Sequence, residues 1–184
     1  PRFEFQDANW FADFPTTARK LIEFYEDGGG RTVDGVLTIN ATFVSTLLEV
    51  LGPVELSQYE RTFTAENFIF EAQKLAEEDY VEYEDENDER EAPAPKAFIG
   101  DLTDVLLTRL TEAEPDVLLQ ILDHMSQGLV EKDVQMYFTN DEIQKELQLR
   151  GWTGEIKTPS GDYLMAVDTN LGGGKTDGVI EQDM

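Results

Sequence analysis

The sequence predicts an α/β fold in which helices layer against a sheet holding at least one parallel pair of strands. Two observations carry that expectation. Runs rich in Val, Ile and Phe with two-residue alternation precede stretches in which apolar residues recur at three and four. Glycine, proline or asparagine stands at most of the junctions between them.

Phe3 and Phe5 alternate with polar neighbours as a short strand, and Pro15 sits where a first helical turn tolerates it. Ala18, Leu21, Ile22 and Tyr25 then form a helical stripe that Gly28-Gly29-Gly30 ends. Val33 to Ile39 reads as a strand. Asn40 is a good N-cap for a helix with Phe43, Val44, Leu47, Leu48 and Leu51 on one face, closed by Gly52-Pro53. Val54 to Leu56 is a short strand, and Thr64 caps a helix whose stripe is Phe68, Ile69, Ala72, Leu75 and Ala76. Two later helices, expected to pack as a pair, use Phe98, Leu102, Val105, Leu106 and Leu110, then Val117, Leu118, Ile121, Leu122 and Met125 between Pro115 and Gly128. Val134, Met136 and Phe138 alternate as a strand, after which Asn140 caps a short helix with Ile143 and Leu147 that Gly151 ends. Tyr163 to Val167 and Val179 to Ile180 read as strands flanking a turn at Gly172-Gly173-Gly174.

One stretch departs from this pattern. From Glu77 to Glu91 there are ten acidic residues and one Arg, followed by Ala92-Pro93-Ala94-Pro95. Such a segment buries too little apolar surface to order itself, so it reads as a mobile acidic loop over 77–95 within a single domain spanning 1–184.

A chain of 184 residues can bury roughly 70% of its unfolded surface and needs no covalent staples. It contains no Cys, which excludes a disulfide scaffold and a thiolate metal site. With 39 acidic against 14 basic residues, the formal charge is -25. Nucleic acid and anionic membrane surfaces are therefore poor partners, because binding either rests on clustered Lys and Arg. Cations and basic partners are favoured, although acidity also serves solubility alone. No apolar run approaches the roughly 18–20 residues that span a bilayer, so no direct membrane insertion by this segment is expected. The chain opens on Pro1-Arg2-Phe3-Glu4-Phe5 and stops at Met184 in polar-apolar alternation, which reads as a fragment of a longer protein.

Catalytic motifs are incomplete. Gly172-Gly173-Gly174-Lys175-Thr176 invites comparison with a phosphate-binding loop, but Thr169 stands where that motif needs glycine, and a strand-like pattern follows where it needs a helix. A glycine-rich hairpin turn is the alternative. His124 is the only histidine, which rules out a multi-histidine metal site. It flanks a stripe complete without it. No Gly-x-Ser-x-Gly elbow exists for a serine triad.

Two clusters of short oxygen ligands stand at predicted strand ends. Asp7, Asn9 and Asp13 form one, with Trp10 beside them, and Asp168, Asn170 and Asp177 form the other, with Lys175 beside them. If their strands were adjacent, these six side chains would line one cleft and hold Ca²⁺ or Mg²⁺, while Lys175 and Trp10 would contact an anion or another ligand. Turn and cap formation is the competing role of the same Asp and Asn residues. Asp85-Glu86-Asn87-Asp88-Glu89 lacks the central glycine and terminal glutamate spacing of an EF-hand.

These residues also carry a resemblance. Asp7 to Trp10 with Asp13 to Pro15, Val33 to Val36, Leu51 to Val54 and Asp168 to Asp177 resemble the bacterial family known as domain of unknown function 4012 (DUF4012). The helix, the Val-Asp-Gly-Val strand and the helix ending in Leu51-Gly52 are in turn distantly similar to the LytR-CpsA-Psr proteins, membrane-anchored enzymes that transfer glycopolymers from a lipid-pyrophosphate carrier. That similarity implies an α/β/α layered sandwich around a mixed, partly parallel sheet, on the extracellular face of the cell envelope, anchored by a segment outside this chain. The enzymes hold pyrophosphate with arginines in a helix, where this chain offers Lys96, Phe98, Ile99 and Asp101. Two functions are thus expected in order: a non-catalytic envelope or cell-surface domain that binds a protein partner or glycopolymer, then a glycopolymer transferase using Mg²⁺.

Overall fold

The computed structural model of the chain describes residues 5–82, 97–157, 160–162 and 164. In chain order the elements are α1 (Phe14–Asp27), β1 (Gly35–Ile39), α2 (Ala41–Leu51), β2 (Val54–Leu56), β3 (Arg61–Phe63), α3 (Phe68–Glu82), α4 (Ala97–Glu112), α5 (Pro115–Glu131), β4 (Val134–Phe138) and α6 (Asp141–Arg150). Two short 3-10 segments, Phe5–Trp10 and Ser57–Tyr59, accompany them. The described residues of Pro1–Asn40 and His124–Val167 gather into one compact unit, and those of Ala41–Asp123 into another.

In the first unit, α1 begins as its sequence dictates. The Asp13 side chain caps it, Pro15 occupies its first turn, and the Gly28 N–H closes it on Phe24 O at 3.0 Å. Before it, Phe5 belongs to a 3-10 segment kinked at Asn9, not to the expected strand. The intervening Gln6-Asp7-Ala8-Asn9 contains no β-branched residue and two that favour local turns. β1 pairs with β4 in antiparallel register from Gly35↔Phe138 to Ile39↔Val134. α1 packs on both strands and α6 packs on β4. Asn140 caps α6 through Glu142 N–H and Ile143 N–H, and Gly151 ends it in the left-handed region at φ 72°. Inside α6 the buried positions are Gln144 and Leu147, whereas Ile143 is exposed.

The second unit is built on the β2–β3 hairpin. Val54↔Phe63 and Leu56↔Arg61 pair antiparallel across a tight connection at Ser57–Glu60, whose Glu60 takes a left-handed φ of 52°. Its core joins Leu48 of α2, Val54, Leu56 and Phe63 of the hairpin, Phe68 and Leu75 of α3, and Phe98, Leu102 and Leu106 of α4. Phe63 and Phe98 stack with centroids 5.9 Å apart. Arg109 on α4 donates to Leu51 O at 3.0 Å and Gly52 O at 2.8 Å, satisfying carbonyls that the end of α2 leaves open. At the start of α3, Thr64 and Asn67 exchange hydrogen bonds, Thr64 N–H to Asn67 Oδ1 at 2.7 Å and Asn67 N–H to Thr64 Oγ1 at 3.3 Å.

Several expectations are corrected. The strand pairs among the described residues are antiparallel, not parallel. β2 turns straight back onto β3, a strand the hydropathy pattern left unread, and so short a connection permits only an antiparallel partner. The acidic stretch enters α3 as far as Glu82 rather than leaving the helix at Glu77. Residues 83–96, with most of the expected loop, lie outside the described residues, as do Tyr163, Met165 to Val167 and the strand and turn expected beyond. The stripes are narrower than expected: Ile69, Leu118 and Leu122 are exposed. α4 takes its packing from β2 and α2, and α5 continues past Gly128 to Glu131.

Candidate functional site

Of the six expected metal ligands, Asp168, Asn170 and Asp177 lie outside the described residues, as does Lys175. Asp7, Asn9 and Trp10 share the 3-10 segment before α1, where Asn9 is exposed and Trp10 presents 63% of its surface. Asp13 is engaged in protein contacts through both oxygens. Its Oδ2 accepts from Thr16 Oγ1 at 2.6 Å and Thr16 N–H at 3.1 Å, and its Oδ1 accepts from Ile156 N–H at 3.0 Å. Burial pushes the Asp13 carboxyl up, but these hydrogen bonds and the Arg19 charge outweigh it and hold the group below the ordinary aspartate value. Among the described residues no group of three or more His, Cys, Asp and Glu stands ready to hold a metal ion. His124 is half-buried on α5.

A different feature of the same unit is the edge of its strand ladder. Asn40 N–H donates to Asp133 O and Thr139 N–H to Asp34 O, both at 2.9 Å, at the two ends of the β1–β4 ladder. Bonded pairs in an antiparallel ladder recur at every second residue, so Val36 and Thr38 face β4 while Gly35, Leu37 and Ile39 direct their N–H and C=O groups away from it. The outer edge of β4 obeys the same parity. Its outward Met136 N–H donates to Trp152 O at 3.2 Å, and its outward Phe138 N–H donates to Gln144 Oε1 at 2.9 Å. The outer edge of β1 has no such cover among the described residues.

Beside that edge runs an apolar groove of about 390 Å³, lined by Phe5, Leu21, Ile22 and Tyr25 on one side and Val33 and Gly35 to Thr38 on the other. Among the described residues no charged side chain lines it. Val36 shares a strand face with its partner Tyr137, over which Arg19 of α1 stands at 5.8 Å, so Val36 faces α1. Leu37 and Ile39 point to the opposite face and are 56% and 45% exposed. The edge therefore offers apolar side chains on both faces. The signal was present in the sequence: Val36-Leu37-Thr38-Ile39 does not alternate as an edge strand with one wet face should.

Gly35 lies at the centre of this arrangement. A Cβ there would run into Tyr137 O and Phe138, so the two strands approach as closely as they do only with glycine at this position. Gly35 belongs to the Val33-Asp34-Gly35-Val36 motif, and the groove lining runs from Phe5 to Thr38. Residues 1–80 match the model of a family described as a protein of unknown function (DUF4012). The DUF4012 match supports the resemblance carried by Asp7 to Trp10, Asp13 to Pro15, Val33 to Val36 and Leu51 to Val54, and Asp168 to Asp177 falls beyond it. The whole groove lies inside the matched region. No curated protein and no solved structure matches the chain. No helix among the described residues is long and apolar enough to cross a membrane.

Proposed function

We propose that this is a non-catalytic binding domain of the bacterial cell envelope whose β1 edge and adjoining groove receive an extended strand of a protein partner. One contrast carries the reading: β4 has its outward N–H groups at Met136 and Phe138 satisfied, whereas Gly35, Leu37 and Ile39 on β1 offer theirs unpartnered among the described residues. An incoming strand supplies those hydrogen bonds, and its alternate side chains cover the exposed Leu37 and Ile39 side chains on one face and the α1 side of the groove, at Leu21, Ile22 and Tyr25, on the other. Each good cross-strand pair adds roughly 0.2–1 kcal/mol, which suits reversible recognition. The envelope setting rests on the distant similarity to the LytR-CpsA-Psr proteins and accords with the charge of -25.

Amide hydrogen exchange followed by NMR tests the proposal. Leu37 and Ile39 N–H groups should exchange fast in the protein alone and become protected by peptides of alternating apolar and polar residues, but not by the same residues in blocked order. A Leu37→Lys, Ile39→Lys variant should fold and lose that protection. Leu37 and Ile39 amides already protected without peptide would remove the open edge and the reading with it. Release of carrier from a lipid-pyrophosphate glycan with Mg²⁺ would overturn the non-catalytic part.

A further inference from the structure

A second concavity in the first unit, away from the β1 groove in its lining, has a different chemistry. It is an open surface depression of about 480 Å³ formed by Lys145, Gln148 and Leu149 of α6 with Glu155 and Lys157 of the segment that follows. Positions i, i+3 and i+4 place the three α6 residues on one helix face, and Glu155 and Lys157 lie two apart on the chain opposite. The volume falls within the roughly 300–1,000 Å³ of small-molecule sites.

The state of its charges is what sets it apart. Most other described basic residues are committed: Lys20 to Glu23, Arg61 to Glu71, Arg150 to Glu146 and the Trp152 ring, Arg109 to the end of α2, Lys132 to Leu129 O and Gly151 O. Lys145 and Lys157 make no ion pair or hydrogen bond among the described residues, although the chain carries 39 carboxylates. The one carboxylate in the pocket, Glu155, is held by Gln148 Nε2 at 2.8 Å through Oε2. Its other oxygen accepts hydrogen bonds and cannot donate them.

A ligand complementary to this depression brings negative charge to the two exposed ammonium groups and hydrogen-bond donors to Glu155. Inorganic phosphate brings the first without enough of the second, and a neutral sugar the second without the first. We infer that the pocket bounded by Lys145, Gln148, Glu155 and Lys157 binds an acidic sugar unit, with its carboxylate or phosphate on the lysines and its hydroxyls on Glu155 and Gln148. The exposed Leu149 side chain offers the apolar surface against which a sugar ring face rests. The site is independent of strand recognition at β1.

NMR titration of the full chain with glucuronate, glucose 1-phosphate, glucose and inorganic phosphate tests this. Glucuronate, glucose 1-phosphate or both should shift the Lys145, Gln148, Glu155 and Lys157 resonances saturably, and which of them does so names the acidic group. Glucose and inorganic phosphate should bind at least about tenfold more weakly, the factor expected when one charge-assisted hydrogen bond is missing. Lys145→Gln with Lys157→Gln should abolish the response, while Lys20→Gln leaves it unchanged. Inorganic phosphate binding as well as the acidic sugars, an undiminished response in the double variant, or no saturable shift with either acidic sugar would overturn the inference.

Discussion

Asp13 and Ile156, 143 positions apart in the chain, are joined by a hydrogen bond of 3.0 Å from the Ile156 N–H to Asp13 Oδ1. The same carboxylate caps α1, and the neighbouring Phe14 N–H donates to Gly154 O at 3.2 Å. A residue read from sequence as cap or metal ligand thus fastens the start of the first helix to the segment after α6. Replacing Asp13 with Ala should cost about 1–2 kcal/mol, as measured by urea denaturation.

The same pair sets a pH dependence. Because the folded Asp13 carboxyl lies below its unfolded value, the stability it contributes is fully present above about pH 5 and is lost as the pH falls through the folded value. The gap in urea midpoint between wild type and Asp13→Ala should therefore stay constant from about pH 5 to 8 and narrow below about pH 4. A gap that widens on acidification would contradict the assignment.

Gly35→Ala should destabilise the first unit by about 1–3 kcal/mol, because the new methyl group meets the backbone of Tyr137 and cannot be relieved by a rotamer change. Gly100, exposed on α4 with open space around its Cα, provides the control. Gly100→Ala should be neutral or stabilising by up to about 1 kcal/mol, since alanine is the better helix former. Thermal unfolding of both variants separates the steric effect from a general response to added methyl groups.

In the second unit, Arg109→Met keeps much of the side-chain bulk on α4 but removes both donors to Leu51 O and Gly52 O. The expected cost is about 1–3 kcal/mol, because two carbonyls at the end of α2 lose a charged partner. Phe98→Ala, which empties one side of the stacked Phe63–Phe98 pair, should cost about 3–5 kcal/mol. Chemical denaturation should rank Phe98→Ala above Arg109→Met, and the reverse order would mean that the α2 cap and not the aromatic core limits this unit.

Much of the local structure was legible because its causes are local. Asp13 with Pro15, Gly28, Gly52, Asn140 and Gly151 start or end helices through bonds that reach no further than a turn or two. Strand partners were not legible, since β1 meets β4 across about a hundred residues and nothing in either run names the other or its direction. Ile69, Leu118 and Leu122 matched helical periodicity yet are exposed, because periodicity gives a face and tertiary packing decides how much of it is covered. For the sites, the apolar doublet Val36-Leu37 of β1 and the spacing of Lys145, Gln148 and Leu149 were visible, but what lies opposite them follows only from the fold.

Proline substitutions on β1 test the parity on which the strand-binding proposal stands. At Thr38, proline removes an N–H that bonds to Gln135, whereas at Leu37 it removes one that points away from β4. An edge strand tolerates proline where its N–H faces outward. Thr38→Pro should therefore be about 1–3 kcal/mol more destabilising than Leu37→Pro, the cost of a ladder bond and its stranded acceptor. Leu37→Pro should remain folded yet fail to protect Ile39 when peptide is added, because an incoming strand would lose a donor and meet the ring at the centre of the edge. Equal destabilisation by both would mean that the outward side of β1 is already paired, leaving no edge for a partner to extend.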